Sequence, residues 1–383
     1  VSEALGRIRQ FLTTHAPAMP CLVIDVDDVV ARFGEFRAHF PTARACYAVK
    51  ANPAPAIVRA LAEAGAEFDV ASPAEIDLCL REGAAPRSLS YGNPIKKATD
   101  IAYAYDRGVR EFVTDSAGDI DNLAAHAPGA QVTVRLSVDA PASVTPFGRK
   151  FGCGPELAVD LLQRAERSGL DAAGLAFHVG SQQLDRSAWD IAIGTAAKVF
   201  AELTTLDLRR LNLGGGFGVS YAGEAPDLEQ YASTVHHSLD AHFPGHTPEI
   251  VFEPGRILTA EAGLIRTEVV LVKPGDPRWV YLDIGRYNGL AETENEYIAY
   301  RIETVERHPE TDGPVILAGP TCDGDDVLYQ HTPYRLPSDL KAGERLDILS
   351  AGAYTASYSS VSFNGIAPLR TYCLVDGKLA DEL

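Results

Sequence analysis

Eight short apolar runs, closing near Val49, Val70, Tyr91, Thr114, Leu136, His178, Leu213 and Phe252, punctuate residues 25–260 of the chain. Between them lie segments such as 73–82, 119–126, 156–168, 187–204 and 227–241. Their apolar residues recur every three or four positions, often behind a Ser, Asp or Pro start signal, which is the helical period. Strand and helix alternating eight times predict a parallel (β/α)₈ barrel, with an open doubly wound sheet as the structural alternative. The placement of polar residues favours the barrel. Lys50, Asp69, Arg135, His178, the glycines 214–216, Glu253 and Arg256 all fall at or just beyond the C-terminal end of a run. That is the face on which barrel enzymes build their sites.

Beyond residue 262 the texture changes. Short apolar runs at 269–273, 279–283, 314–318, 345–349 and 372–375 are separated by Gly, Pro and Asp, with no long helical pattern among them. They predict a mostly β domain, a sandwich or a small barrel. The expected division is a barrel over residues 25–261 and a β-domain built from residues 1–24 and 262–383. A length of 383 residues accommodates two such domains.

Charge narrows the partners. With 34 Lys and Arg against 52 Asp and Glu, the formal charge is −18, which argues against nucleic acid or an anionic membrane surface. The acidity serves solubility or a field that attracts cationic substrates. The six cysteines form no CxxC pair and no tight Cys/His cluster, so neither a disulfide framework nor a metal centre is expected. The N-terminal stretch has no signal-peptide core, and no apolar stretch is long enough for a bilayer span, so a cytoplasmic protein is expected.

Several residues are chemically loaded. Lys50 closes a buried run bounded by Asn52-Pro53. A lysine losing water at a strand mouth becomes a better nucleophile, as a Schiff-base lysine requires; the alternative is a solvated end-cap. Gly214, Gly215 and Gly216 form a βα turn that is either only tight or able to cradle a phosphate. It lacks the GxGxxG pattern of a dinucleotide site. Glu253-Pro254-Gly255-Arg256 offers an acid for a pyridine nitrogen and an arginine for phosphate, or a structural ion pair. His178 is a core histidine or a flat surface for a flat cofactor, with Ser181 behind it. Asp69 and Glu75 are cap acids or supports for Lys50. In the β-domain, Cys322 lies beside Asp323, Asp325 and Asp326, whose charge would keep the thiol protonated and able to give a proton to a carbanion. Tyr354 follows a glycine turn, as a core aromatic or as a hydroxyl for the site.

Together, AVKANP, EFDVAS, FHVGSQ, GGGFG, EPGR, PTCDGDD and AGAY, in this order and over almost the whole chain, resemble the fold-type III pyridoxal phosphate decarboxylases of alanine racemase-like fold. The similarity is greatest to the ornithine/lysine decarboxylases of the bacterial branch. The resemblance implies pyridoxal 5'-phosphate as cofactor, Lys50 as its Schiff-base lysine, His178 stacked on its ring and Glu253 on its pyridine nitrogen. It implies Ser181, Gly214, Gly215, Gly216, Gly255, Arg256 and Tyr354 as the phosphate site, with Asp69, Glu75 and Arg135 supporting ring and lysine. Cys322 would return a proton to the α-carbon and Asp323 would hold the distal ammonium of a basic amino acid. Tyr287 and Glu292, in the stretch Asp283–Thr293, are further substrate-side candidates, with Glu296 an alternative second acid. A homodimer with shared sites is also implied, with Lys150 and Asp326 as an intersubunit pair. Ornithine giving putrescine, or lysine giving cadaverine, is the expected chemistry. Diaminopimelate decarboxylase, an amino-acid racemase of the same fold, or a non-catalytic homologue are the alternatives.

Overall fold

The computed structural model describes residues 3–138, 143–145, 150–305 and 311–383. The chain forms two compact units. One comprises Arg32–Gly218 and Pro226–Gly255; the other comprises Val1–Ala31, Val219–Ala225 and Arg256–Leu383.

Each of the eight expected runs is a strand of one closed parallel barrel. In order around it the strands are Arg44–Ala48, Glu67–Val70, Leu89–Tyr91, Glu111–Thr114, Gln131–Arg135, Asp171–Ala176, Arg210–Asn212 and Glu249–Phe252, which pairs back onto the first. The run closing at Leu136 is strand through Arg135, and the run closing at His178 is strand through Ala176, so both candidate side chains stand on the rim. Helices start where the sequence places caps. Ser72 accepts the amide of Glu75, and Asp227 and Gln230 form a reciprocal capping box.

The opposite, N-terminal mouth is closed by charge. Arg44 pairs with Glu67, Glu111 and Glu249, while Arg210 reaches Glu111 at 3.2 Å, Glu249 at 2.7 Å and Gln131 at 3.0 Å. Two guanidiniums shared among three carboxylates tie five of the eight strands together, because each arginine fork has donors for several acceptors. The mouth is sealed here, and chemistry is left to the other rim.

The second unit is built on one branched nine-stranded sheet. Its hub is the long strand Gly263–Lys273, which pairs with Cys21–Asp25, Arg345–Ile348 and Arg278–Leu282 along successive parts of its length. Helix Glu3–His15 lays Ile8, Phe11 and Leu12 on this sheet against Val23, Leu264 and Leu374. The sheet also contains a strand absent from the expected runs, Val327–Pro337. Its pairing with Asp312–Ala318 jumps from Val315↔Tyr334 to Leu317↔Tyr329, so the residues between Tyr329 and Tyr334 bulge out of the ladder.

Candidate active site

Lys50 sits in the single helical turn Val49–Ala51 that follows the first barrel strand. Its Nζ donates to Asp69 Oδ2 at 2.7 Å. The lysine side chain keeps 44% of its exposure while Asp69 keeps 4%. The loss of water expected for Lys50 at the strand mouth is thus only partial. The amine stands at an open rim beside a buried carboxylate. Asp69 is itself held from the next strand. A Cβ on Gly92, just after Leu89–Tyr91, would overlap Asp69 Oδ1. The sequence reading passed over Gly92; the signal was a glycine directly after a barrel strand, in Tyr91-Gly92-Asn93-Pro94. Gly92→Ala is expected to push Asp69 off Lys50 and lower kcat/KM by about 10- to 100-fold, the scale of a 1 Å misplacement at a reacting group. Unchanged far-ultraviolet circular dichroism alongside the kinetics checks that the loss is local.

Glu75 feels the charge of Lys50, but its hydrogen bond is to the backbone. Its Oε2 accepts the amide of Ala71 at 2.7 Å, which closes the turn between the second strand and its helix. Burial raises its carboxyl, opposed by that amide bond.

His178 is half-buried on the rim. Burial pushes its imidazole well below the ordinary histidine value, and the positive charges of Arg135 and Lys50 push the same way. Its Nδ1 lies 3.0 Å from the donating amide of Gly180, so Nδ1 is an acceptor and the ring is a neutral plate. The glycine turn wraps this ring. A Cβ on Gly215 would stand 2.6 Å from the carbonyl oxygen of Glu253 and 3.4 Å from His178 Nε2. Gly214 and Gly216 have φ of +66° and +100°, where other residues are strained. Gln183 donates its amide to the Gly216 carbonyl at 2.8 Å, which fastens the segment carrying Ser181 to the glycine turn.

Glu253 directly follows the last strand, which ends at Phe252, and is half-buried. Desolvation raises its carboxyl and so does the charge of Asp69; Lys50, a hydrogen bond from Asn212 and Arg135 oppose them. Arg135, from the fifth strand, is lowered by its own burial and held up by Glu253, Asp69 and Asp115. The rim thus gathers a lysine, the buried acid Asp69, the half-buried acid Glu253, one arginine and a neutral imidazole.

In the second unit, Arg256 is buried. It gives Nη1 to Glu292 Oε2 at 2.8 Å and Nη2 to Glu292 Oε1 at 2.6 Å, and Nη1 also to the hydroxyl of Tyr221 at 2.8 Å. Its guanidinium lies 4.8 Å from the ring centre of Tyr354, whose backbone is left-handed at φ +56°. Glu292, expected on the substrate side, is thus a forked partner of Arg256, with 9% of its side chain exposed. The second acid expected in that stretch is also committed elsewhere. Glu296 accepts the amides of Gln330, His331 and Thr332 at 2.6, 2.5 and 3.0 Å, which holds the bulge of the long strand. Neither carboxylate is offered to a distal ammonium.

The loop after Ala318 presents its thiol outward. Cys322 is exposed and touches Asn364, whose Nδ2 lies 3.2 Å from Sγ. Asp323 accepts the Asp325 amide at 2.8 Å, and its charge acts on Tyr287, whose phenol is raised first by desolvation and then by Asp323. The ring of Tyr287 packs on Phe363 at 4.6 Å. Asp326, expected in a pair with Lys150, is 1% exposed. Its carboxylate accepts the amides of Arg286 and Thr321 and the hydroxyl of Thr321 at 2.8, 3.0 and 2.7 Å. These bonds fix the shape of the loop. Lys150 is exposed, with Nζ 4.9 Å from the Phe151 ring. Among the described residues, no group of three or more His, Cys, Asp or Glu side chains could hold a metal, and no helix is long and apolar enough to cross a membrane.

Residues 26–260 match the model of the pyridoxal-dependent decarboxylase family, pyridoxal binding domain. The lysine/ornithine decarboxylase of Selenomonas ruminantium is 35% identical over 350 residues, which cover 90% of this chain and 87% of that protein. The crystal structure of SrLDC with PLP and cadaverine superposes with a TM-score of 0.86 at 34% identity, over 97% of this chain and 94% of that one. The arginine decarboxylase of Paramecium bursaria Chlorella virus, bound to agmatine, gives a TM-score of 0.89 at 25% identity, over 96% and 100%.

Proposed function

We propose, because this chain belongs to the pyridoxal-dependent decarboxylase family, that it removes the α-carboxylate of L-ornithine and L-lysine as CO₂ and releases putrescine and cadaverine. The observation that carries this reading is the barrel rim, where the Lys50 amine stands 2.7 Å from the buried carboxylate of Asp69 and shares the rim with the neutral plate of His178 and the half-buried acid Glu253. Pyridoxal phosphate bound there supplies an electron sink for the pair left on the α-carbon when CO₂ departs.

The rim residues fit such a group. The glycine turn brings its backbone close around His178, leaving no room for a Cβ at Gly214 or Gly215. Lys50 would hold the cofactor's aldehyde end, with Asp69 beside the amine as a counter-charge. His178, kept neutral, would cover the cofactor ring without adding charge. Glu253 would pair with the pyridine nitrogen and keep that nitrogen protonated. Ser181, the glycine turn and Gly255, and separately Arg256 and Tyr354, would serve the phosphate, with Glu292 setting the angle of the Arg256 fork. Cys322 delivers the proton to the α-carbon. Asp323, beside the Tyr287 phenol, takes the distal ammonium.

Cys322 is exposed and its contact Asn364 lies in a segment that carries exposed apolar residues. Val361 is 77% exposed, and Phe363 adjoins Asn364, the contact of Cys322. This arrangement supports a homodimer in which one copy's Cys322 loop completes the partner's lysine site. Substrate identity is tested by offering ornithine, lysine, arginine and diaminopimelate together and quantifying the amines. Putrescine and cadaverine are expected to dominate, and agmatine as the major amine, or a net gain of lysine at the expense of diaminopimelate, overturns the substrate reading. Mixed Lys50→Ala and Cys322→Ala subunits are expected to regain roughly a quarter of wild-type activity, since random pairing leaves half the dimers with one intact site of two. No regain removes the shared site.

A further inference from the structure

Three hydrogen bonds close a ring beneath the rim. Asn212, the last residue of strand Arg210–Asn212 and 5% exposed, donates Nδ2 to Glu253 Oε1 at 2.6 Å. Its Oδ1 accepts the amide of Gly214 at 2.8 Å. The carbonyl of Gly214 accepts the amide of Glu253 at 2.8 Å. The orientation of the amide is fixed by chemistry: Gly214 N–H only donates, so it faces oxygen, and the NH₂ is left for the carboxylate. An NH₂ group only donates, so the Glu253 oxygen facing it must accept.

We propose that Asn212 is a positioning residue for cofactor binding, which holds Glu253 as an aimed carboxylate and locks it to the glycine turn. This rests on the cofactor reading above. One side chain thereby sets the spacing between the acid for the pyridine nitrogen and the cradle for the phosphate, the two ends of one rigid ligand. Aspartate at this position is the informative change. It is the same size and still accepts the Gly214 amide, but it replaces a donor facing Glu253 by an oxygen. Two carboxylates at that separation share one proton, so the contact becomes dependent on pH. Leucine, of similar shape, removes both bonds at every pH.

The test is titration of apoprotein with pyridoxal phosphate, read by the visible band of the bound cofactor, at pH 6 and pH 8.5. Wild type is expected to change little between the two. Asn212→Asp is expected to bind within about threefold of wild type at pH 6 and about tenfold or more weaker at pH 8.5, the scale of a hydrogen bond to a charged group. Asn212→Leu is expected to be about tenfold weaker at both. If both variants bind like wild type at both values, the proposal is overturned. Equal weakening of the two without a pH slope in Asn212→Asp marks a merely structural role and overturns it as well. A wild-type protein that takes up no cofactor instead defeats the cofactor reading on which the proposal rests.

Discussion

Lys50→Ala is expected to abolish covalent capture of pyridoxal phosphate and to lower kcat by about 10³-fold or more, since the covalent attachment point is lost. The direct measurement is borohydride reduction followed by peptide mass analysis. Wild type should carry the reduced cofactor on the peptide containing Lys50, and the variant should carry none. The change has a second consequence. Asp69 is 4% exposed and loses the ammonium 2.7 Å away, so a buried charge is left without that partner. Lys50→Arg separates the two effects. It returns a positive charge to Asp69 but supplies no amine able to condense with an aldehyde, so apoprotein stability should recover while labelling and turnover do not. Label on any other peptide of the Lys50→Ala protein, with activity retained, would remove Lys50 from the chemistry.

The barrel was legible because burial and period agree. Parallel strands covered on both faces read as continuous apolar runs, and the intervening helices carry cap residues that mark their starts. The rim residues were legible for the same reason: a polar residue that ends such a run has only the rim to occupy. What the sequence hid were partners. Glu292 and Glu296 lie four positions apart in one acidic stretch, and nothing local says that one forks onto Arg256 while the other gathers three amides from a bulged strand. That strand, Val327–Pro337, escaped because Gln330, His331, Thr332 and Pro333 break its alternation where the backbone leaves the ladder. Asn212 and Gly92 escaped because their work is done on neighbours brought close by strand register, Glu253 in one case and Asp69 in the other. Type and spacing show what a residue could do; which group uses it depends on the cross-strand partner.

Glu253→Gln is expected to lower kcat by about 10²- to 10³-fold, the range for removing one preorganised charge from a buried site, and to reverse the way acid acts on the apoprotein. Two half-buried groups titrate in opposition there. The carboxyl of Glu253 is raised above its ordinary 4.5 by burial, with Asp69 adding to it. Between pH 4.5 and that raised value the folded state holds a proton the unfolded state has released, so this group adds stability as pH falls. His178 is lowered from 6.5, again by burial first. Below pH 6.5 the unfolded state takes a proton that the folded state refuses, so this group removes stability as pH falls. Just below pH 6.5 the two act in opposite directions in the wild type. Relative to wild type, the Glu253→Gln apoprotein should therefore lose stability on acidification, at about 1 kcal/mol per pH unit, the linkage of one proton. His178→Gln should gain stability over the same interval with a similar slope. Urea unfolding at pH 7, 6 and 5 measures both. Parallel curves for the two variants would mean that neither group is held in the uncharged form that the barrel imposes.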